Sequence, residues 1–488
     1  MALTLGIDVG TQGTKGIVLD SDLAGSESGA VVARASSSYG LIEGLPQGHA
    51  EQDPRTWVDA VRAVCGELAS SVDMSLIEAV SFSGQQHGLV VLDEAGEVIR
   101  PAKLWCDTST TRESAELSER LGRAIPTGFT APKIAWLKRN EPASWERTRK
   151  VMLPHDYMNW CATGTFVMEA GDASGTGLLD IQTRAFDAVA VDSIDSRLHS
   201  CLPPLAEAGS IAGRVHDTGA AWMGVASGIP VATGGGDNMM SAIGSGATSP
   251  GSVVVSLGTS GTVFTHSTQP VVDPDGAIAG FCDSVGGWLP LLCVMNLTGI
   301  TEEVVSAFES DHASLTKAAA HVAAGCDGLL LLPYLNGERV PDLPDAAGSL
   351  HGIRPGDLRA GKLYRAAMEG TSLSLGWGVE RMRRMGIGVD SVGIVGGAAK
   401  NELWRRILAS VLDAPVTMLA ESESAALGAA IQALWTLRRA AGEDVPADEV
   451  AQPFIRTVGK VTHPDAEWTK VYRASMERLI ELTNTLHA

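Results

Sequence analysis

The chain has 488 residues, of which 45% are hydrophobic, and a formal net charge of −20 at pH 7. A chain of this length can bury two sizeable cores. Because no block of Lys and Arg compensates the negative charge, binding to nucleic acid or to an acidic membrane surface is disfavoured. The seven cysteines include no Cys-x-x-Cys pair, which favours reduced thiols over disulfides or a zinc site.

Two segments bear on where the protein resides. Residues 1–6 lack the basic n-region and the cleavage site of a secretory signal, so we expect a cytoplasmic protein. The uncharged stretch 284–301 contains three glycines and a proline, which suits strand and turn better than a membrane-spanning helix. We therefore expect no association with a membrane.

The first elements in chain order are strands followed by a helix. Apolar runs over 3–8, 16–20 and 31–36 predict three strands. Asp53 followed by Pro54 predicts the start of a helix. The apolar spacing of that helix predicts a buried face formed by Trp57, Val61, Val64 and Leu68.

A polar turn follows the next predicted strand, at 77–82. It carries Gln86 and His87 between glycines, and polar side chains at the end of a strand are where sites lie in open sheets. His87 is a candidate for hydrogen bonding to the hydroxyl groups of a sugar. A lone histidine is more often structural, so the pattern leaves both roles open.

A glycine-rich turn occurs twice, about half the chain apart. The sequence Asp8-Val9-Gly10-Thr11-Gln12-Gly13-Thr14 is repeated in outline as Ser256-Leu257-Gly258-Thr259-Ser260-Gly261-Thr262. Each copy lies between two apolar runs, which predicts a β-hairpin. Glycines let an anion approach backbone N–H groups closely, and hydroxyls add hydrogen bonds to phosphate oxygens. The pair predicts two related lobes that close on one nucleotide, with phosphate contacts from Thr11, Gln12, Gly13, Thr14, Gly258, Thr259, Ser260 and Gly261.

The second half repeats the plan of the first. Strands are predicted at 253–256, 328–332 and 389–395, with a long helical region over 357–385 between the last two. Gly396 and Gly397 follow the last strand, and Asn401 is a plausible helix cap, so this turn predicts a nucleotide shelf. Ordinary strand-to-helix packing is an equally open interpretation.

Three further segments have structural interpretations. The run of small residues at 244–251 predicts a hinge between the lobes. The alanine-rich stretch 425–437 predicts a closely packed helix. A terminal helix is predicted at 468–486, and its apolar side would carry Val471, Met476, Leu479, Ile480 and Leu486.

Two aspartates are candidates for catalysis. Asp237 follows an apolar strand and three glycines, so it could accept the proton of a sugar hydroxyl that attacks a γ-phosphate. It could equally cap a helix that begins at Asn238. Asp8 ends the first strand, where a carboxylate could hold Mg²⁺ through its water shell, although Asp before a glycine turn is also common turn chemistry.

Two other nucleotide-binding signatures are absent from the sequence. There is no Gly-x-x-x-x-Gly-Lys-Ser/Thr run, which excludes a Walker-type nucleotide site. The signature set of protein kinases is missing as well.

The motifs occur in the order found in the FGGY family of sugar kinases, which the chain resembles along nearly its whole length. The segments that carry the resemblance are the two hairpins, 85–88, 234–238, 333–339 and the Gly396 turn, with further matches at 51–54, 104–107, 128–133, 153–157 and 172–176.

This resemblance implies an α/β fold of two actin-like (ribonuclease-H-like) ATPase lobes with an interlobe catalytic cleft. We expect an N-terminal lobe over 1–245, with the sugar site, the first hairpin and the catalytic Asp. The C-terminal lobe over 246–488 would hold the second hairpin and adenosine.

The resemblance also implies ATP-dependent phosphorylation of D-xylulose, with Mg²⁺ as cofactor. Asp237 matches the catalytic base and Asp8 the carboxylate near Mg²⁺. The implied sugar-binding residues are Gln86, His87, Trp105, Asp107 and Asn238. The implied nucleotide-binding residues beyond the hairpins are Gly396, Gly397 and Asn401. The expected partners are ATP and a sugar, and a homodimer is a base-rate expectation.

Three departures from the family pattern bear on the sugar. Gln86 stands where Met is common, Cys106 where Asn is usual and His155 where Lys often stands. A fourth departure, Ala398 in place of a third glycine, lies in the adenosine turn and should not abolish nucleotide binding. A sibling kinase acting on D-ribulose, another pentulose, a polyol or gluconate therefore remains an alternative. A more distant one is a non-catalytic regulator with the actin-like ATPase fold.

Overall fold

The computed structural model describes residues 2–26 and 29–487, and two seven-stranded sheets organise it. The strands of the first half are β1 Leu3–Val9, β2 Gly13–Asp20, β3 Val31–Ser38, β4 Glu51–Gln52, β5 Ile77–Gly84, β6 Val90–Leu92, β7 Ala102–Lys103, β8 Lys150–Met152, β9 Met168–Glu169, β10 Leu179–Asp180, β11 Ala185–Phe186, β12 Leu205–Ala206, β13 Ile211–Arg214, β14 Pro230–Ala232 and β15 Gly235–Gly236. Its helices are α1 Pro54–Leu68, α2 Thr111–Leu121, α3 Thr130–Asn140, α4 Pro142–Arg147, α5 Pro154–Thr163, α6 Ala170–Ala173, α7 Ala188–Ile194, α8 Leu198–Cys201, α9 Asp217–Met223 and α10 Asp237–Ser245.

The second half follows with its own sheet and longer helices. Its strands are β16 Gly251–Leu257, β17 Gly261–Thr265, β18 Ala279–Cys282, β19 Trp288–Val294, β20 Leu330–Leu332, β21 Ser349–His351, β22 Val389–Val395, β23 Val416–Leu419 and β24 Thr457–Thr462. Its helices are α11 Thr298–Ala307, α12 His312–Ala319, α13 Ala360–Arg384, α14 Glu402–Leu412, α15 Ser424–Ala440, α16 Ala447–Ala451 and α17 Ala466–His487.

The two large sheets share one plan. The first has the order β13-β14-β5-β1-β2-β3, with β15 also paired to β5, and the second has the order β18-β19-β17-β16-β22-β23-β24. In each, an antiparallel hairpin (β1–β2 or β16–β17) lies beside a parallel neighbour (β5 or β22). Because parallel strands end at the same edge, each glycine hairpin meets the loop that follows its neighbour.

Two predicted helix caps and one predicted buried helix face are confirmed. The Asp53 side chain accepts a hydrogen bond from Arg55 N at the start of α1. The predicted face of α1 is buried at all four positions. Asn401 caps α14 by accepting from Trp404 N.

The terminal helix is confirmed, but its predicted apolar side is partly wrong. Val471 and Leu486 are 38% and 50% exposed. The buried positions of α17 include Thr469, Tyr472, Leu479 and Thr483. Tyr472 determines this orientation, because its hydroxyl group donates to Glu369 and accepts from Arg365, two buried residues of α13.

Helix α15 comes late in the chain and yet packs on the first sheet. A Cβ on Gly6 of β1 would overlap the backbone of α15, and one on Gly428 of α15 would overlap the backbone of α10. Gly244 is equally close to Ser424 O, so the start of the predicted hinge segment 244–251 is buried against this helix. Hinge motion there stays a prediction.

Over residues 2–26 and 29–487, no helix combines the length and the apolar character needed to cross a bilayer.

Candidate active site

The candidate site forms where three parallel strands of the first sheet end. Asp8 of β1 lies opposite Ser83 of β5, and Ser83 lies opposite Gly235 of β15. One residue beyond β15 the chain reaches Asp237, the first residue of α10. The sheet register therefore brings the two predicted catalytic aspartates to the same edge.

Asp237 begins the helix rather than preceding it, since Gly236 occupies the cap position. Its Oδ1 accepts from Asn238 N at 2.8 Å and from Asn238 Nδ2 at 3.1 Å. Burial raises the pKa of Asp237 to about 8, and the charges of Asp8 and Asp172 act in the same direction. A carboxylate with this pKa holds an accepted proton well near neutral pH.

Asp8 is buried, and its Oδ1 accepts from Ser83 Oγ at 2.7 Å. Burial raises its pKa, while the Ser83 hydrogen bond and the charge of Lys15 oppose the rise. Its Oδ2 faces the first hairpin, since a Cβ on Gly10 would lie 3.9 Å away.

Gln86 and His87 line the same strand edge through the turn after β5. Gln86 Oε1 accepts from Asn238 Nδ2 at 2.7 Å, whereas its buried Nε2 has no hydrogen-bond partner. The His87 ring packs against Phe129 and Phe281, at centroid distances of 4.8 and 5.9 Å.

His87 is held as a neutral imidazole in a strained backbone position. Its φ is 66°, in the left-handed region that non-glycine residues rarely adopt. Burial lowers its pKa to about 3, and the positive charges of Lys133 and Arg339 add to that effect. The ring fits because residue 175 is glycine, where any Cβ would overlap it.

Trp105 and Asp107 lie in one loop but differ in accessibility. Trp105 is 44% exposed, and its Nε1 donates to Thr11 Oγ1 at 2.9 Å, so it contacts the first hairpin. Asp107 is fully buried and accepts four hydrogen bonds, from Ala50 N, Lys103 Nζ, Ser109 N and Ser109 Oγ. Its carboxylate is occupied by protein donors, and a sugar-binding role for it stays a prediction.

The first hairpin is fixed from inside the protein. Gly10 N donates to Gly13 O at 3.0 Å, and Tyr39 OH donates to Gly10 O at 2.8 Å. The buried Thr14 hydroxyl contacts Tyr39 OH at 3.2 Å, so it faces away from solvent. Gln12, at the tip of the turn, is exposed.

The second hairpin presents an exposed tip. Residues 258–260 are exposed, while the carbonyl groups of Gly258 and Thr259 anchor the start of α11. Leu297 N donates to Thr259 O and Thr298 N to Gly258 O, both at 3.1 Å. The carbonyl oxygens of Gly258 and Thr259 therefore fix the tip of the hairpin to α11.

The predicted nucleotide turn lies beside this second hairpin. Val395 and Ser256 are register partners on parallel strands, and Gly396, with a φ of 101°, contacts the Leu257 backbone too closely for any Cβ. Gly397 is exposed. Asn401 Nδ2 donates to Thr316 Oγ1 of α12 at 2.8 Å, so its side chain links two helices around the turn.

Comparison with known proteins decides the family. Residues 3–244 match the N-terminal domain of the FGGY family of carbohydrate kinases, and residues 253–437 match its C-terminal domain. The chain belongs to this family. Membership implies a sugar and ATP as substrates of this FGGY kinase, and the predicted family and its two-lobed α/β fold are confirmed.

Three known proteins show how far the similarity extends. A xylulose kinase of Haemophilus influenzae is 36% identical over 502 residues, covering 99% of the FGGY kinase described here and 100% of that protein. The solved structure of a xylulose kinase from Rhodospirillum rubrum matches with a TM-score of 0.89 at 29% identity, over 99% of both chains. That of a gluconate kinase from Lactobacillus acidophilus gives 0.89 at 25% identity, over 100% of this chain and 99% of that one.

Sequence reasoning missed several residues that shape the site. Ser83 and Tyr39 fix Asp8 and the first hairpin, and no local pattern pairs them with residues so far away in the chain. Asp172 acts on Asp237 through its charge. Asp172 and His155 belong to segments that matched the family, but the match assigned Asp172 no role and marked His155 only as a departure from the family pattern.

Proposed function

We propose that this kinase transfers the γ-phosphate of ATP to the 5-hydroxyl group of D-xylulose, yielding D-xylulose 5-phosphate. The observation that carries the proposal is the common strand edge that Asp8, Gln86 and Asp237 share. Similar proteins that are named xylulose kinases support the choice of sugar. A cytoplasmic location and a homodimeric assembly stay predictions.

Asp237 is proposed as the general base. It would accept the proton of the sugar hydroxyl as that oxygen attacks phosphorus, an effect typically worth about 10²- to 10⁴-fold in rate. Its raised pKa of about 8 suits this role, because a base works best when its pKa lies near the working pH.

Asp8 is proposed to hold Mg²⁺ through the water shell of the ion. Its carboxylate oxygens are the hard ligands that Mg²⁺ prefers. Burial and the negative charge of Asp8 raise the pKa of Asp237, and a bound cation would relieve that repulsion. When bound, Mg²⁺ neutralises charge on the phosphates. Asp8 would orient that ion over the first hairpin.

The sugar is proposed to bind at Gln86, His87, Trp105 and Asn238. The unpartnered Nε2 of Gln86 and the neutral ring of His87 offer hydrogen-bonding groups at the base of the cleft. Asp107 would contribute to sugar binding indirectly, because it fixes the loop that carries Trp105.

ATP is proposed to lie across both hairpins. Gln12 and residues 258–260 are exposed at the turn tips, and backbone N–H groups in such turns bind phosphate. The Thr14 hydroxyl would support the first turn through Tyr39. Gly396, Gly397 and Asn401 would hold adenosine.

The test is ADP release with Mg-ATP and a panel of D-xylulose, D-ribulose, L-xylulose, L-ribulose, glycerol and gluconate. We expect strong stimulation by D-xylulose alone and a loss of at least about 10²-fold in Asp237→Asn. The matched control is Asp217→Asn, which changes the exposed first residue of another helix and should leave turnover unchanged.

The other outcomes of the panel separate the alternatives. Stimulation by gluconate, which the solved gluconate kinase makes the strongest competitor, would reassign the pocket around Gln86 while keeping the mechanism. Binding of ATP with no stimulation by any sugar would favour the regulatory function. An active Asp237→Asn variant would remove the general-base assignment.

A further inference from the structure

A histidine lies between two buried carboxylates beneath the candidate site. His155, the second residue of α5, is fully buried. Its Nδ1 forms a hydrogen bond of 2.8 Å with Asp172 Oδ2, whereas its Nε2 lies 3.0 Å from Asp156 Oδ1 without hydrogen-bond geometry. Asp172 is also fully buried, and Asp156 is 1% exposed. One imidazole therefore faces two carboxylates away from water.

The same residue supports both turns that carry the proposed site. A Cβ on Gly84, which precedes the turn with Gln86, would lie 2.7 Å from His155 N. A Cβ on Gly234, three residues before Asp237, would lie 3.1 Å from His155 Cδ2. These close approaches leave the two turns in direct contact with the histidine.

Asp172 connects the histidine to the site from the other side. Its Oδ2 is held by His155, and its Oδ1 lies 3.0 Å from the position that a Cβ on Gly236 would take. The charge of Asp172 acts on Asp237. Displacement of Asp172 would thus disturb the backbone at Gly236 and the electrostatic field at Asp237, the proposed base.

The titratable groups that act on His155 among the described residues are acids, and burial raises the pKa of Glu169 to about 7 and also raises the pKa of Asp172. Asp156 faces it from α5, Asp172 from α6 and Glu169 from the residue before α6. Within the described part of the chain, no Lys or Arg forms an ion pair with any of these three acids. Burial opposes a charged imidazole, but the charge of Asp156 and the bond to Asp172 raise the pKa of His155 well above 6.5.

We propose that His155 is a positioning residue whose cationic form holds Asp156 and Asp172 beneath the turns that carry Gln86 and Asp237, and that activity falls when this charge is lost. The inference rests on the proposed function for its kinetic readout. A group whose pKa is raised in the folded state keeps its charge below that pKa and loses it as the pH rises through it. His155 therefore sets an alkaline limit to turnover.

The test compares two substitutions by the pH profile of kcat/KM for D-xylulose between about pH 6 and pH 10. His155→Lys keeps a positive charge with an ordinary pKa of about 10.4. We expect it to keep at least about a third of wild-type activity at pH 7 and to move the alkaline limb up by about one pH unit or more. His155→Gln should lose at least about tenfold at pH 7.

A second readout needs neither turnover nor the glutamine variant. In the free wild-type protein, labelled with ¹³C at histidine Cε1, the signal that disappears in His155→Lys reports on His155. We expect the chemical shift of that signal to show a protonated His155 ring at pH 8, where unperturbed imidazoles with a pKa near 6.5 are neutral.

Two results would overturn the inference. One is an imidazole signal that titrates below about pH 7. The other is a lysine variant that loses as much activity as the glutamine variant while both remain folded by thermal unfolding. A wild-type protein inactive on every sugar would instead overturn the proposed function, and the NMR titration would then decide the charge of His155.

Discussion

Asp237 combines its proposed catalytic role with a cost in stability. Its ordinary pKa of 3.8 rises to about 8 in the folded protein, first through burial and then through the charges of Asp8 and Asp172. Between those two values the folded state binds more protons at this residue than the unfolded state. Its contribution to the free energy of unfolding is fully present below about pH 4 and is lost as the pH rises through about 8.

This linkage predicts that Asp237→Asn stabilises the apoprotein at alkaline pH. The amide carries no charge to bury, so we expect a higher Tm than wild type at pH 8.5 and a difference that shrinks towards pH 4.5. Thermal unfolding of both proteins across this range measures it. A difference in Tm that does not vary with pH would show that Asp237 has an ordinary pKa in the folded protein.

Which residues could be predicted depends on whether their partners are local. The Asp53 and Asn401 caps follow from patterns a few residues long, and both are observed. The contact between the Thr14 hydroxyl group and Tyr39 OH could not be predicted from the repeated turn, and a phosphate-binding role for Thr14 stays a prediction. Asp107 is occupied by Lys103 and Ser109. Such pairings arise only when strands and loops assemble.

At the level of elements, helix α15 is the clearest case of tertiary context. Its Leu427-Gly428-Ala429-Ala430 run predicted close packing, which is confirmed, but the sequence did not indicate that it packs on the first sheet. The partners are Gly6 of β1 and Gly244 of α10. The prediction of the apolar side of α17 is partly wrong for the same reason, because Tyr472 is buried through its hydrogen bonds to Arg365 and Glu369.

The packing of α15 predicts that Gly428→Ala is strongly destabilising. A Cβ at this position would overlap Met240 O of α10, and in a close-packed interior the two helices must then separate. We expect a loss of about 1–3 kcal/mol in the free energy of unfolding, measured by denaturant titration.

The control for this variant is Gly66→Ala in α1. A Cβ there meets nothing within 4 Å, so the alanine should stabilise the helix by up to about 1 kcal/mol. Equal effects of the two substitutions would mean that α15 does not pack on α10 as described.

At the scale of the whole molecule, the two hairpins belong to different sheets and are proposed to act on one nucleotide. The first lies beside Asp8 and the second beside the Gly396 turn. The proposed sugar-binding residue Gln86 and the proposed base Asp237 belong to the first sheet, since they follow β5 and β15. Phosphoryl transfer in a water-excluded cleft therefore requires the two lobes to approach each other around both substrates.

We predict that this approach is a measurable closure. Small-angle X-ray scattering should show a smaller radius of gyration with D-xylulose and a nonhydrolysable ATP analogue together than with either alone. The Asp237→Asn variant allows the same experiment with ATP itself, because it should bind both substrates without turning them over. Motion would be concentrated beyond residue 248, since residues 243–248 are buried. Scattering curves that do not change with both ligands bound would show that the cleft is already closed.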